Sequence, residues 1–344
     1  MAKLPNKNAI GSRKKLIAIV LTAVVLLVLP LVIDSDYIKH LLIMSSLGAI
    51  LAMTFSLLYS AGLITLGAAA FYAIGAYAST LLVMNAGFSF WLALPLVVLI
   101  AAVLALGFGS VFVRNAGVAF VIISLIFVQV VIIAAGQLEF LGGWGGIIGI
   151  SRPDAIGPVQ FTSKTAFYYL MLAVLLLVVL AFNALYSSRI GRVWRAIKLS
   201  PHLAGTLGIN PYKYRLLAFV VGSTVAALAG CFYAHYSQNI TPGAFGGWLS
   251  IYVQLYAVVG GLEYYILGPI IGAVLMTFVP EYLRIVKEIE PIITGALLLI
   301  IILFFPGGIL GTIKNSKVDP FWNLKGKGRS DKTGFKETAE VGRG

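Results

Sequence analysis

The sequence predicts an all-α polytopic membrane protein of about ten transmembrane helices, with both termini cytoplasmic and some helices short or broken. Three observations carry that prediction. Hydrophobic residues are 60% of the 344 and charged residues only 11%, giving a mean hydropathy of +0.99, well outside soluble domains. The apolar residues gather in runs of about 20, the length a helix needs to cross a bilayer. The basic residues sit between those runs, weighted to alternate loops, as the positive-inside bias requires.

The chain opens with a basic cytoplasmic segment, residues 1–15, carrying Lys3, Lys7, Arg13, Lys14 and Lys15. The transmembrane domain follows over 16–311. Eight runs are clear, at about 16–33, 38–59, 64–84, 89–111, 117–138, 165–186, 214–235 and 291–310. The first is a retained span, because Leu29-Pro30-Leu31-Val32 leads to Asp34 and Asp36 and not to a small-residue cleavage site. The stretch 247–280 reads as one span plus a loop or as two short spans joined at GGLEYYILGP (Gly260–Pro269). Charge parity selects two crossings over one, because both ends are basic and the number of spans is even. A non-crossing re-entrant pair keeps the same charge balance, and only the length of the two pieces argues against it. This arrangement places every basic residue inside except Lys39, Arg152, Lys164, Arg284 and Lys287. The tail 312–344, rich in Lys, Gly and Ser, has too few apolar residues to fold alone and is expected to be disordered near anionic lipid.

The most informative loop is 187–213. Ser187 to Arg215 holds Arg189, Arg192, Arg195, Lys198, Lys213 and Arg215 with no acidic residue. Ile190, Val193, Trp194 and Ile197 recur at helical spacing, so a short amphipathic helix is expected there. Its apolar stripe lies outside the bilayer and needs a cover, for which headgroups and a partner protein are both open.

Several function classes fall away. No Asp, Glu, Lys or Arg sits deep in an apolar run outside the Gly260–Pro269 turn, whereas ion-coupled carriers keep such groups at midplane depth. No GxxxxGK[ST] loop is present, so the energy source of an active transporter must lie on another polypeptide. His40, His202 and His235 are dispersed, Cys231 is single and suited to packing, and no nucleophile–base pattern suggests an enzyme. The charge of +13 is scattered through short loops and two termini, which argues against nucleic acid as a partner.

The loop Gly191, Arg192, Arg195, Ala196, Ile197, Lys198, Ala204, Leu207, Gly208 and Ile209 resembles the coupling loop of the M-type permease subunits of branched-chain amino acid ABC transporters. Ala61-Gly62-Leu63 with LGAAAFYAIGAYAS (Leu66–Ser79), Leu141-Gly142-Gly143 with Gly146-Ile147, the run Leu216–Tyr236 and FPGGILG (Phe305–Gly311) resemble further motifs of that family in order, across about residues 40–312. The Gly260–Pro269 turn departs from the family pattern: it is one residue longer, with Glu263-Tyr264-Tyr265 in place of small residues.

The resemblance implies a permease subunit forming half of a pore, with a sister permease, two cytoplasmic ATPase subunits and an external or periplasmic binding protein. ATP and Mg would be bound by the ATPases and no cofactor by this chain. ATPase coupling would fall to Arg189, Gly191, Arg192, Trp194, Arg195, Ala196, Ile197, Lys198, Ala204, Leu207 and Gly208. Substrates in the superfamily include branched-chain amino acids and also urea, short amides or sugars. An ATP-independent carrier or channel is a rival disfavoured by the absent midplane charges.

The glycine stretch can be read without the family. Gly67, Phe71 and Gly75 fall four apart, so the glycines share a helix face suited to close packing. A break at Gly62–Gly67 that lines a polar path is the functional alternative. In that reading Gly62, Gly67, Phe71, Tyr72, Gly75 and Tyr77, with Gly142 and Gly143 in the external turn, belong to a translocation path, and Ser79 and Thr80 add neutral hydrogen bonds. The Gly142–Gly146 turn is either a plain loop or part of a surface for the binding protein.

Overall fold

The computed structural model describes residues 35–114, 117–155, 160–283 and 307–315, with 157, 295 and 299 as single positions. The expected spans 16–33 and most of 291–310, and the tail beyond 315, lie outside the described residues. In chain order the elements are α1 (Asp36–Ser60), α2 (Ala68–Met84), α3 (Phe90–Phe112), α4 (Val118–Gln137), β1 (Ile147–Ile148), α5 (Lys164–Ser187), α6 (Arg189–Leu199), α7 (Pro201–Thr206), α8 (Pro211–Ser237), β2 (Asn239–Ile240), α9 (Gly247–Gly260), α10 (Leu267–Leu283) and α11 (Gly308–Asn315). Among the described residues six segments are long and apolar enough to span a membrane: α1, α3, α4, α5, α8 and the run from Pro242 through α9. Two shorter apolar helices, α2 and α10, join them.

α1 is apolar on every side, and a helix of that kind belongs inside. Ile43, Leu47, Ile50, Met53, Phe55 and Leu57 are all buried, and α1 touches α5, α8, α9 and α10. Its hydroxyls do not disturb this environment. Ser45, Thr54 and Ser60 donate to the carbonyls of Leu42, Leu51 and Leu57 one turn back.

The tightest packing is between α2 and α8. A Cβ on Gly75 would overlap the Ala227 carbonyl, and one on Gly230 would overlap the Tyr72 carbonyl. Two backbones approach here as closely as small residues permit, the arrangement that drives helix association in lipid. Gly67, expected on the same face, has a different neighbour: its Cβ position lies 3.4 Å from Ser124 of α4. α3 sets Ala93, Val97, Ala101, Ala105 and Gly109 inward at four-residue spacing against α8. Its other side exposes Leu99, Val103, Leu106 and Val111, an apolar surface suited to lipid.

The body has two ends. At one, Asp36 pairs with Lys164 at 3.5 Å, Tyr37 donates to Glu281, and β1 pairs antiparallel with β2 through Ile147↔Ile240 and Ile148↔Asn239. At the other, the Arg215 guanidinium donates to the Ala61 carbonyl at the foot of α1 and α6 lies across the surface. Charged residues of the spans keep to these ends. α9 and α10 form the expected hairpin between the ends, with Gly260 against the Gly268 carbonyl at the turn. At 14 residues α9 is about 21 Å long, short for a crossing.

Two boundaries differ from the sequence expectation. The third run begins its helix at Ala68 and not at 64, because the Ala61–Gly67 backbone is non-helical. The 311/312 boundary is not a structural break, since α11 runs through to Asn315. It opens on Gly308 (φ +71), whose Cβ position would collide with Gly261.

Candidate functional site

The basic loop folds as the periodicity predicts, into an amphipathic helix. Ser188 starts α6 by accepting from the backbone N–H of Ile190 at 3.1 Å, an N-cap. The chain itself covers half of the apolar stripe, while Ile190 and Val193 stay half-buried. Trp194 and Ile197 are fully buried by the chain's own body, and the Trp194 indole donates to the Tyr214 carbonyl at 2.8 Å. Gly191 lies against the Tyr186 backbone. The remaining residues of the segment divide by exposure. Arg189 and Arg192 are exposed, Arg195 and Ala196 are half-buried and Ala204 is buried. Leu199, Leu203 and Leu207 stand 88%, 68% and 79% exposed, three apolar side chains at four-residue spacing on α6, α7 and the turn ending at Gly208. Gly208 takes φ +77, the left-handed conformation that closes a helix.

Lys198 points inward at this end. Its ammonium sits 3.6 Å from the centre of the Tyr59 ring and 5.5 Å from that of Tyr265. Burial holds the ammonium below the usual lysine value, against the opposing pull of Glu263. Gly62 permits the approach: at φ +76, its Cβ position is 3.3 Å from the Lys198 Cα.

The break Ala61–Gly67 leaves helix N–H groups without helical partners, and hydroxyls supply them. Ser124 accepts from Leu66 N at 2.9 Å, Thr65 from Gly67 N at 2.9 Å and Ser250 from Ala69 N at 3.4 Å. Thr54, Thr65, Gly67, Phe71 and Ser223 line a cavity of about 10 Å³ there, room for one water. Above it Phe71 meets Phe127 and Phe219, each at 5.6 Å. Tyr72 meets Tyr233 at 5.3 Å and Phe245 at 5.5 Å, and Tyr77 meets Phe245 at 5.9 Å. The buried Tyr77 hydroxyl has no hydrogen-bond partner among the described residues. Gly62 and Gly67 lie in the break, against Lys198 and Ser124, whereas Phe71, Tyr72, Gly75 and Tyr77 stand on α2 and meet Phe127 and Phe219, Tyr233, Ala227 and Phe245 in turn. Gly142 and Gly143 lie apart from them, in the turn that follows α4.

That turn is a built structure. Gly142, Gly143 and Gly146 take φ of +79, +55 and +75, and a Cβ on Gly146 would overlap the Ile240 carbonyl. Trp144 covers Gly136 yet stays 58% exposed. Beside it at the same end, His40, Met44, Arg152, Lys164, Tyr233, Tyr236, Ser237 and Asn239 line an open cavity of about 470 Å³, within the ligand-site range. His40 Nδ1 and the Tyr236 hydroxyl share a hydrogen bond of 2.7 Å, and Arg152 donates to the Thr162 carbonyl. Among the described residues no three His, Cys, Asp or Glu side chains gather to hold a metal ion.

Sequence reasoning missed Ser124, Ser250 and Ser223, the Tyr59–Tyr265 pair and the Arg152–Lys164 cavity. Ser124 carried a signal, as the lone hydroxyl residue in VAFVIISLIFVQVV (Val118–Val131). The others come together from distant parts of the chain.

A family model, branched-chain amino acid transport system / permease component, matches residues 37–306. The chain is 30% identical over 272 residues to the high-affinity branched-chain amino acid transport system permease protein LivM of Salmonella typhimurium, covering 72% of this chain and 64% of that protein. LivM of Escherichia coli is 29% identical over the same shares. LivH of Salmonella typhimurium is 31% identical over 133 residues, 38% of this chain and 42% of that protein. The chain thus spans 64% of the length of the LivM proteins it matches. No solved structure matches. Matched over most of its length, and built of apolar helices, the chain is a multi-pass membrane protein and belongs to the branched-chain amino acid transport permease family.

Proposed function

We propose that the chain is one membrane-spanning subunit of an ABC importer that moves branched-chain amino acids by alternating access. A sister permease completes the pore, two ATPase subunits carry ATP and Mg on the cytoplasmic side, and an external binding protein delivers substrate. The observation that carries this reading is α6 anchored to the body by its buried Trp194 and Ile197, with exposed cations and Leu199 on its outer side and Leu203 and Leu207 just beyond it. A helix already anchored to the body can transmit force, and three exposed leucines beside arginines suit a protein groove. Burying one such leucine is worth about 1.5–3 kcal/mol. The positive-inside bias puts that end in the cytoplasm. The hydroxyl-lined break and the residues of α2 beyond it are the proposed path, closed here to anything as large as an amino acid.

A permease for urea or short amides is the second reading. Arg152, which lines the open cavity beside the Lys164–Asp36 pair, favours a carboxylate-bearing substrate over those uncharged ones, since an ion-to-ion contact is stronger than one to a neutral group. Reconstitution of the chain with its sister permease, ATPases and binding protein tests the assignment. Leucine uptake should need enclosed ATP and be suppressed by isoleucine and valine but not by urea. Uptake without the ATPases, or equal suppression by urea, would overturn it.

A further inference from the structure

The lengthened turn between α9 and α10 is the feature that the proposed coupling role does not absorb. Its Glu263-Tyr264-Tyr265 costs the chain a compact glycine turn, and the two tyrosines have definite placements. Tyr264 is buried. Tyr265 stacks on Tyr186 at the foot of α5, ring centres 5.1 Å apart and planes 23° apart. Its hydroxyl lies 3.5 Å from the Lys198 ammonium of α6, which rests on the Tyr59 ring at the foot of α1. One cation therefore joins three elements distant in sequence: α1, the amphipathic helix and the α9–α10 turn. Behind the turn, Gly261 (φ +115) lies against Gly308 at the head of α11, so the turn is backed by the chain's own body.

We infer that Lys198 and Tyr265 form a cation–aromatic joint that makes the α9–α10 turn a second coupling element, carrying motion of α6 directly into the α9–α10 hairpin. The inference rests on the proposed coupling role of α6. Without the joint, α6 moves the body through its junctions with α5 and α7, its packing on α1 and α8, and the buried Trp194 and Ile197. With it, a displacement of α6 pulls a hairpin whose α10 packs on the central α1 and whose α9 supplies Ser250 to the head of α2. Motion thus reaches the break by a route independent of α6's covalent neighbours. Lys198 and Tyr265 are positioning residues in this scheme; neither touches substrate. Partial burial supports the arrangement, since the ammonium is removed from water and cation–aromatic contacts strengthen on desolvation.

The test uses the complete reconstituted transporter and reads substrate moved per ATP hydrolysed. Lys198→Met keeps the stem and removes the charge; Tyr265→Leu removes the ring. Each should copurify with its ATPases and hydrolyse ATP, yet lower the transport-to-hydrolysis ratio by about fivefold to thirtyfold, the range expected of a desolvated contact of this kind. Lys198→Arg and Tyr265→Phe keep cation and ring and should restore most of it. A second readout is the distance between spin labels on Ile190→Cys, a half-buried position of α6 outside the exposed leucine surface, and Glu263→Cys in a Cys231→Ser background. It should be narrowly distributed and hold constant through the ATP cycle, and should broaden in Lys198→Met. A wild-type ratio in Lys198→Met and Tyr265→Leu, or a label distance that changes during the wild-type cycle, would overturn the joint. Leu203→Glu separates this failure from that of the coupling reading. If it abolishes ATPase retention while Lys198→Met is silent, only the joint is wrong; if Leu203→Glu also retains ATPases, the coupling reading falls with it.

Discussion

The two ends of the molecule solve opposite problems with the same small set of residues. At the α6 end the cation Lys198 is turned inward onto aromatic rings, and apolar Leu199, Leu203 and Leu207 are turned outward. At the Gly142–Gly146 end the cations Arg152 and Lys164 line an open cavity and apolar Phe245 is buried against Tyr72 and Tyr77. The first pattern leaves a sticky surface held rigidly from behind. The second leaves a wet, charged recess. Glycine differs between regions in the same way: Gly75 and Gly230 are demanded by the proximity of two backbones, whereas Gly142 and Gly143 are demanded by positive φ.

The α2–α8 crossing connects the ends, so its loss should abolish both. Gly75→Leu drives a branched side chain into the Ala227 backbone and should cost more than the about 1–3 kcal/mol of ordinary overpacking, seen as loss of folded, assembled protein on size exclusion. Recovery of a monodisperse, active complex would show that α2 and α8 are less intimate than described. Next in size is the break. Ser124→Ala leaves the Leu66 N–H without its acceptor and should cost about 1–3 kcal/mol, read as a lower melting temperature, while Ser124→Thr retains an oxygen. An unchanged melting temperature would mean the N–H has another acceptor.

The far cavity should respond differently from the α6 end. Arg152→Gln should raise KM for leucine by about tenfold, the loss of one charge-assisted contact, with ATPase retention untouched. A pure fall in kcat would remove the cavity from substrate binding. The smallest effect sharpens the account of Lys198. Burial lowers its pKa and Glu263 raises it, so competitive amine labelling should give a titration midpoint below the usual lysine value. Glu263→Gln should move that midpoint further down, because it removes the carboxylate that favours the charged form. An upward shift would contradict the geometry.

Much of this was legible in the sequence, and its limits are physical. Runs of apolar residues located α1, α3, α4, α5 and α8 to within a few residues, because span length and hydropathy are local properties. The period of Ile190, Val193, Trp194 and Ile197 gave α6. What a period cannot say is which way the stripe faces, and Trp194 turned into the body because the Tyr214 carbonyl offers its indole a partner. The helix start at Ala68 was misplaced by four residues since the hydroxyls that satisfy the freed N–H groups come from Ser124 and Ser250. The joint at Lys198 links residues 67 apart to Tyr265 and had no local signature beyond an unexplained Glu-Tyr-Tyr. Gly142 and Gly143 lie in a turn whose positive φ angles the run of glycines hinted at, but the pairing of the adjoining Ile147 with Ile240 joins residues distant in sequence.

The central claim is that the outer side of α6 and α7 receives the ATPases while the inner side is already occupied. Copurification of the ATPase subunits with tagged permease, compared between Leu203→Glu and Arg195→Glu on one hand and wild type on the other, tests it most directly. Membrane insertion should survive, because the remaining basic residues still hold the loop inside. The account predicts permease in the membrane at normal amount, ATPases lost on purification, and no ATP-driven uptake; normal ATPase recovery with wild-type uptake in both variants would contradict it.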